Sequence, residues 1–555
     1  MRAVYWRAAL GAILLIGLAL RLHGVHEPIL DHPGWRQGDT AAIARNFAHL
    51  QFNILYPQTM YNGPPPNYVE LELQIVPFLA ATFYKLFGIH EIFGRIISIA
   101  FGLGTVLVLA YFGRWLFASA IAGLTAAFFY SVFPGSVYYG RTFMPDCAMV
   151  FFLTVALYVS ARYLREDAMM SRPGLIAPTL LLTFAYLAKP VAAMAIVPLL
   201  GLIWERRRAG GALRVLPLAT LVLVPFIVLA LYDERVAAYA QWHWASGIMR
   251  LHVLPALRAA LSSGEGFGLK LASFRVAIGM LRETMLGSLS FALSLAAFVA
   301  LPWTASRSKA LLWGWLIAGV LYIFVVVTVE RVDYYLLPLL PLCALTLGGA
   351  TARSLAAIET LDAAPPARYA LIGTVALVAI AAALPSRTAV ASYYRYNQQA
   401  YRDAVALDRA LPAGALVVLG HYGPDVQYYL DRFGWEEDPL LWTPFDEESA
   451  IRKGARYFIA IEENRLYRNI DLCAWLQRFP IAPSEATWSV YDTDPARVRP
   501  GADIFWRRFR AAERMGAGRA FLDRRNLCVV PAQPPKVDKS ARKASGPTAM
   551  LPRKG

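Results

Sequence analysis

Apolar residues in this chain come in long runs that no charge interrupts. Ile96–Phe112, Ala118–Gly140, Cys147–Ser160, Val215–Tyr232, Ser288–Ser306 and Tyr334–Thr351 contain no Asp, Glu, Lys or Arg. A solvated helix shows a polar face every third or fourth residue; these runs show none. A helix that crosses the hydrocarbon core of a bilayer needs about 20 apolar residues, and fewer where protein packs around it. The pattern predicts about 11 spans, at 5–22, 94–112, 118–138, 147–163, 174–188, 190–204, 213–232, 285–305, 310–329, 334–352 and 369–386. The first of these resembles a signal peptide in length, but it lacks a small-residue cleavage site and reads as a retained span. Leu73–Phe87 is apolar but short, is interrupted by Pro77 and Lys85, and ends at Gly88. It reads as a helix lying in the membrane interface.

Loop charge checks this layout. With the N-terminus in the cytoplasm, the cytoplasmic loops carry Arg114, then Arg162, Arg165 and Arg172, then Arg206, Arg207, Arg208 and Arg214, then Arg307 and Lys309, then Arg353 and Arg368. All of these loops are basic, as the positive-inside rule requires. If Leu73–Phe87 were a crossing, every later loop would reverse and the Arg206–Arg208 cluster would face outward. An odd number of spans places the C-terminus outside.

Three outer segments are long: 23–88, 233–283 and the chain from about Arg387 onward. In the last, Ala415–Gly420 and Tyr457–Ile461 read as strands, and Gln427–Asp431 and Glu447–Lys453 as helices. That alternation suggests a small α/β domain. The expected organisation is an all-α polytopic membrane domain over 1–386, an extracytoplasmic α/β domain over 387–533, and a basic disordered tail over 534–555. There is no internal repeat.

Composition agrees with a membrane protein. The chain is 57% hydrophobic and 17% charged, with a mean hydropathy of +0.44, against roughly 25% charged residues in soluble domains. The net charge of +16 would suggest nucleic acid as a partner, but many of the basic residues lie in short loops that orient helices. Cys147 and Cys343 fall in spans, as small core residues. Cys473 and Cys528 fall in the outer domain, where oxidising conditions would allow them to pair.

The spans hold almost no ionisable groups at membrane depth, which argues against an ion-coupled transporter. The charges gather at the outer ends of helices: Asp31, Arg36, Asp39, Glu70, Glu72, Arg141, Asp146, Lys189, Arg331 and Asp333. One face of the membrane thus carries both acids and bases, as a reaction centre would. Each also has a structural reading. Asp39 and Asp146 stand near helix starts and could be caps. Glu70 and Glu72 could be solvated. Lys189 could snorkel to headgroups, and Tyr334 and Tyr335 could belong to an aromatic belt. No HExxH or CxxC metal motif, GxxxxGK[ST] loop or dinucleotide fingerprint is present. An enzyme built this way would take an activated substrate from the outer leaflet, which points to a lipid carrier.

The segments Trp35-Arg-Gln-Gly-Asp39-Thr-Ala-Ala-Ile-Ala-Arg45-Asn-Phe47, Tyr68-Val-Glu70-Leu-Glu72 and Tyr84-Lys-Leu-Phe-Gly88 resemble the GT-C glycosyltransferases. The branch is that of the protein O-mannosyltransferases and the lipid A aminoarabinose transferase. Gly94-Arg95, Arg141 with Pro145-Asp146, Lys189-Pro190 and Tyr334-Tyr335-Leu-Leu-Pro338 follow in that branch's order. The resemblance covers roughly residues 5–350. It implies transfer of a sugar from a polyprenyl-phosphate carrier to a glycan, lipid or protein hydroxyl, at the outer face of an inner (plasma) membrane. It implies Asp39 as the catalytic carboxylate, although the family often shows Asp-Glu where this chain has Asp39-Thr40; Asp31 is the second candidate. Asp146 matches the family's second acidic position. Asp39, Asp146 and Glu72 are thus the candidate catalytic residues. Arg36, Arg141, Lys189, Arg331, Tyr334 and Tyr335 are the candidate substrate-binding residues. No cofactor is required, and the carboxylates could hold a divalent metal, as in some members of the family. The alternatives are a flippase of lipid-linked sugars and a non-catalytic scaffold; turnover would exclude both.

Overall fold

The computed structural model describes residues 2–166, 172–211, 215–361 and 364–529, without the side chains of 172–175. The expected disordered tail over 534–555, Arg214 and the Arg172 side chain lie outside the described residues. The chain divides into two compact units. A helical unit holds Met1–Glu27 and Glu70–Tyr394; an α/β unit joins Pro28–Val69 to the described residues that follow Tyr394. Most of the first outer segment therefore groups with the C-terminal part of the chain.

In the helical unit every expected span is occupied by helix. Among the described residues, Ala3–Arg21, Ile92–Leu116, Asp146–Arg165, Val215–Ala237, Lys309–Glu330, Asp333–Glu359 and Pro365–Tyr394 are long and apolar enough to cross a bilayer. Ala120–Val132 and Ile176–Ala188 are apolar but shorter. Ile75–Phe87 has 13 residues, about 20 Å of helix, too short to cross the hydrocarbon core alone. The helices approach closely through small residues. A Cβ on Gly123 would lie 2.1 Å from the Ala110 carbonyl oxygen, and one on Gly348 would lie 2.3 Å from that of Ala122. Such close approach is how apolar helices gain packing energy where lipid is as apolar as the helix partner. Cys147 and Cys343 are free and buried in this packing.

Two features differ from expectation. The outer segment 233–283, read as a loop, is largely helical, through Ile248–Val253, Leu254–Ser262 and Gly264–Met280. Its charges broke the apolar pattern without breaking the helix. It runs into the segment expected at 285–305, and the axis turns by 110° between Gly264–Leu286 and Ser288–Trp303. The turn falls at Gly287, whose φ of +79° favours glycine.

The α/β unit has a four-stranded sheet in the order Gly434–Glu436, Leu416–Leu419, Ala455–Ala460, Ser489–Asp492. The first two pairings are parallel and the last antiparallel. Two of these strands and the helices Pro424–Leu430 and Pro444–Arg452 lie where the sequence places them. Gly434–Glu436 is an edge strand in this order, and the first outer segment extends it. Gly63 N–H donates to the Gly434 carbonyl at 2.8 Å, and Gly434 N–H donates to the Met60 carbonyl at 3.1 Å. Only glycine fits at 434, because a Cβ there would lie 1.8 Å from the Val417 carbonyl oxygen.

Cys473 and Cys528 form a disulfide across 55 residues, in a core with Trp475, Phe509 and Leu522. Closing a loop of that length stabilises the folded state by about 4 kcal/mol on the chain-entropy account. In denatured, unreduced protein two thiols, Cys147 and Cys343, are expected to react with a maleimide, and all four cysteines after reduction. Four reactive thiols before reduction would refute the pairing.

Candidate active site

The candidate residues fall in both units. In the α/β unit, the helix Gly34–His49 starts after Pro33, so Asp39 lies more than a turn inside it and cannot be its cap. Asp39 is buried, at 6% exposure, and accepts a hydrogen bond from the Tyr61 hydroxyl. Burial, Asp39 and Glu436 together hold the Tyr61 hydroxyl far above the usual phenol range, so it remains a donor. Arg36 is buried on the same helix and opposes that shift. Asp31 is also buried; its Oδ1 accepts from Gln37 Nε2 at 2.8 Å, and its carbonyl from the same nitrogen at 3.0 Å.

Two glycines seat this helix on the C-terminal part of the unit. A Cβ on Gly38 would meet the Asp425 Cα at 2.6 Å, and one on Gly34 the Asp425 Oδ2 at 2.8 Å. Asp425 and Glu462 both engage His421, Glu462 at 2.6 Å. Burial disfavours charge on His421, but the hydrogen bonds its ring donates to these two carboxylates outweigh it and raise its pKa to about 10. Near neutrality it is a cation. Burial drives the Glu436 carboxyl the other way, well above the usual carboxylate range, with Asp39, Asp425 and Glu437 adding to the shift and His421 opposing it. Glu436 Oε2 is buried with no hydrogen-bond partner.

In the helical unit, Asp146 is the first residue of its helix and makes no cap bond. Its Oδ1 instead accepts from Lys189 Nζ at 2.6 Å. Both side chains are buried, so Lys189 is not snorkelling. The Lys189 ammonium lies 4.9 Å from the Tyr334 ring centre and 4.6 Å from that of Tyr335. Tyr334 is itself buried, which is not the setting of a belt tyrosine. Lys189, Asp146, Tyr334 and Tyr335 thus form one cluster of a cation, a carboxylate and two rings. Asp146 Oδ2 is buried without a hydrogen-bond partner.

The other candidates stand elsewhere in the helical unit. Arg141 is fully buried, donates to the Gly24 carbonyl at 3.1 Å and lies over the rings of Tyr138 and Tyr394. Arg331 is exposed, has a φ of +52° and donates to Ser273 Oγ at 3.1 Å. Asp333 accepts from the hydroxyls of Tyr139 and Tyr393, each at 2.5 Å. Glu70 accepts from Ser246 N–H and Oγ, and Glu72 is buried. Among the described residues no group of three or more His, Cys, Asp or Glu is arranged to hold a metal ion. Tyr61, His421, Asp425 and Glu436 escaped the sequence reading; they lie far along the chain from Asp39 or carry no motif.

A family model described as dolichyl-phosphate-mannose-protein mannosyltransferase matches residues 74–232. ArnT from Cupriavidus metallidurans, solved bound to undecaprenyl phosphate, is similar over 90% of this chain and 99% of its own, at 14% identity and a TM-score of 0.54. The oligosaccharyltransferase AglB from Archaeoglobus fulgidus, solved with an inhibitory peptide and a dolichol-phosphate, is similar over 88% of this chain and 74% of its own, at 13% identity and a TM-score of 0.54. The chain shares the fold of these two solved glycosyltransferases. No functionally curated protein matches it in sequence. Its long apolar helices make it a multi-pass membrane protein.

Proposed function

We propose that this GT-C protein transfers a sugar from a polyprenyl-phosphate carrier to a hydroxyl of a glycan, lipid or protein, at the extracytoplasmic face of the plasma (inner) membrane. The observation that carries the proposal is the buried Asp146–Lys189 pair under Tyr334 and Tyr335 in a GT-C fold. A desolvated ammonium is a counter-charge for a departing phosphate, and Asp146 holds it in place. The ligands of the two solved relatives, undecaprenyl phosphate and dolichol-phosphate, support the carrier class. The outer orientation is supported by the basic inner loops and by the Cys473–Cys528 disulfide, a bond of oxidising compartments.

In the proposed step the acceptor oxygen attacks the anomeric carbon as the bond from that carbon to the phosphate oxygen breaks. Asp39 takes the acceptor proton, and polyprenyl phosphate leaves with the bonding pair, stabilised by Lys189. Arg36 and Arg331 are further candidates for the phosphate, and Glu72 and Arg141 for orienting the sugar or the acceptor. Purified protein given polyprenyl-phosphate sugars and a membrane extract is expected to release polyprenyl phosphate only when acceptor is present. A chelator added to the same assay reports whether a divalent metal contributes. Movement of intact donor across a vesicle membrane without release would instead support the flippase.

A further inference from the structure

Glu436 is a buried carboxylate of the same compact unit as the helix of Asp39. It closes the edge strand Gly434–Glu436, and that strand grips Met60 and Gly63 through two backbone hydrogen bonds. Gln427 Nε2 secures the same stretch by donating to the Met60 carbonyl at 2.9 Å. Tyr61 sits between these anchors and donates its hydroxyl to Asp39. On the other flank, Gly38 rests against the Asp425 backbone. Strand and helix are therefore held in fixed relation within one compact unit. Glu436 is 9% exposed, and its Oε2 has no hydrogen-bond partner. An ionised carboxylate buried in that state costs several kcal/mol, whereas a neutral acid costs far less.

We infer that Glu436 is a positioning residue for Asp39: a buried acid, with an unpartnered oxygen, that does not add its own negative charge beside the base. The inference rests on the reading of Asp39 as the base. Around Glu436 stand Asp39, Asp425 and Glu437 as anions, His421 as a cation, and Tyr61 and Tyr422 as neutral phenols; Arg36 is the cation on the Asp39 helix. Burial first, and then the neighbouring carboxylates, raise the Glu436 carboxyl, so Glu436 holds its proton. Asp39 accepts the acceptor proton and passes it to solvent as product leaves, while Glu436 keeps its own. When alkaline pH removes the Glu436 proton, a second negative charge faces Asp39 and repels an anionic donor.

The test is the pH profile of polyprenyl phosphate release by the full chain. The unmodified protein is expected to lose turnover about tenfold per pH unit on its alkaline limb, as for a single ionisation. Glu436→Gln, neutral at every pH, is expected to abolish that limb and leave the acidic limb unchanged. An alkaline limb that survives in Glu436→Gln would belong to another group, His421 first, and would overturn the inference. Infrared spectroscopy supplies a readout independent of turnover. Glu447, with its pKa raised by burial to about 8, contributes a band of its own, so the readout is the difference spectrum: a protonated carboxyl C=O band at neutral pH is expected to be lost between the parent and Glu436→Gln, and a difference spectrum without that band would also overturn the inference. Asp39→Asn separates the two readings: if it retains turnover, Asp39 is not the base, whatever the infrared band shows.

Discussion

Replacing Asp39 by Asn is expected to lower the rate of polyprenyl phosphate release by about 100- to 10,000-fold, the contribution of a general base. Asn fills the same volume, and its side-chain oxygen can still accept the hydrogen bond from Tyr61. Helix Gly34–His49 therefore has little reason to shift, and the thermal midpoint of the variant should match that of the parent. What Asn lacks is the capacity to accept the acceptor's proton. The loss should thus fall on turnover at saturating donor and not on donor affinity. Asp31→Asn is the control. Asp31 is buried, but two of its oxygens hold the Gln37 amide, so it braces the start of the helix. It should cost stability and much less rate. Near-normal turnover in Asp39→Asn, with a large loss in Asp31→Asn, would move the base to Asp31.

What was legible in the sequence was what hydropathy and charge encode locally. Charge-free runs marked the spanning helices, and basic loops fixed their expected direction. Leu73–Phe87 read as too short to cross, and the structure gives it 13 residues of helix. Segment 233–283 was illegible because Arg250, Arg258, Lys270 and Arg275 interrupt its apolar pattern. Lys270 shows how the fold accommodates them: its ammonium donates to the carbonyls of Phe324 and Val325 and to Thr328 Oγ1. Edge strand Gly434–Glu436 has three residues and one glycine, too little for any period to register. The candidate residues were named one by one from helix ends, but their partners were not, because pairing is a property of packing. Asp146 and Lys189 stand on different helices, and nothing in either local motif specifies a contact of 2.6 Å. Asp39 and Glu436 are still farther apart in the chain, and only the grouping of residues 28–69 with the C-terminal part brings them into one unit.

Lys189→Met is expected to destabilise the helical unit by about 3–5 kcal/mol, the cost of leaving one member of a buried ion pair without the other. Met keeps the length and most of the apolar contact with the rings of Tyr334 and Tyr335, so the loss isolates the charge. Asp146 would be left buried with neither oxygen hydrogen-bonded to Lys189, and its Oδ2 has no other partner to offset that. Adding Asp146→Leu removes the stranded charge, and the double variant is expected to recover most of the lost stability, since an apolar pair of similar volume often replaces a buried ion pair at little cost. Activity should not recover with it. If Lys189 meets the departing phosphate, both the single and the double variant lose about 100- to 1,000-fold in turnover, the scale of one preorganised charge-stabilising donor. A double variant that regained both stability and turnover would make the pair purely structural and return the phosphate to Arg36 or Arg331. A single variant that melted like the parent would mean that the two charges do not meet in the folded protein, and the cluster would lose its place in the mechanism.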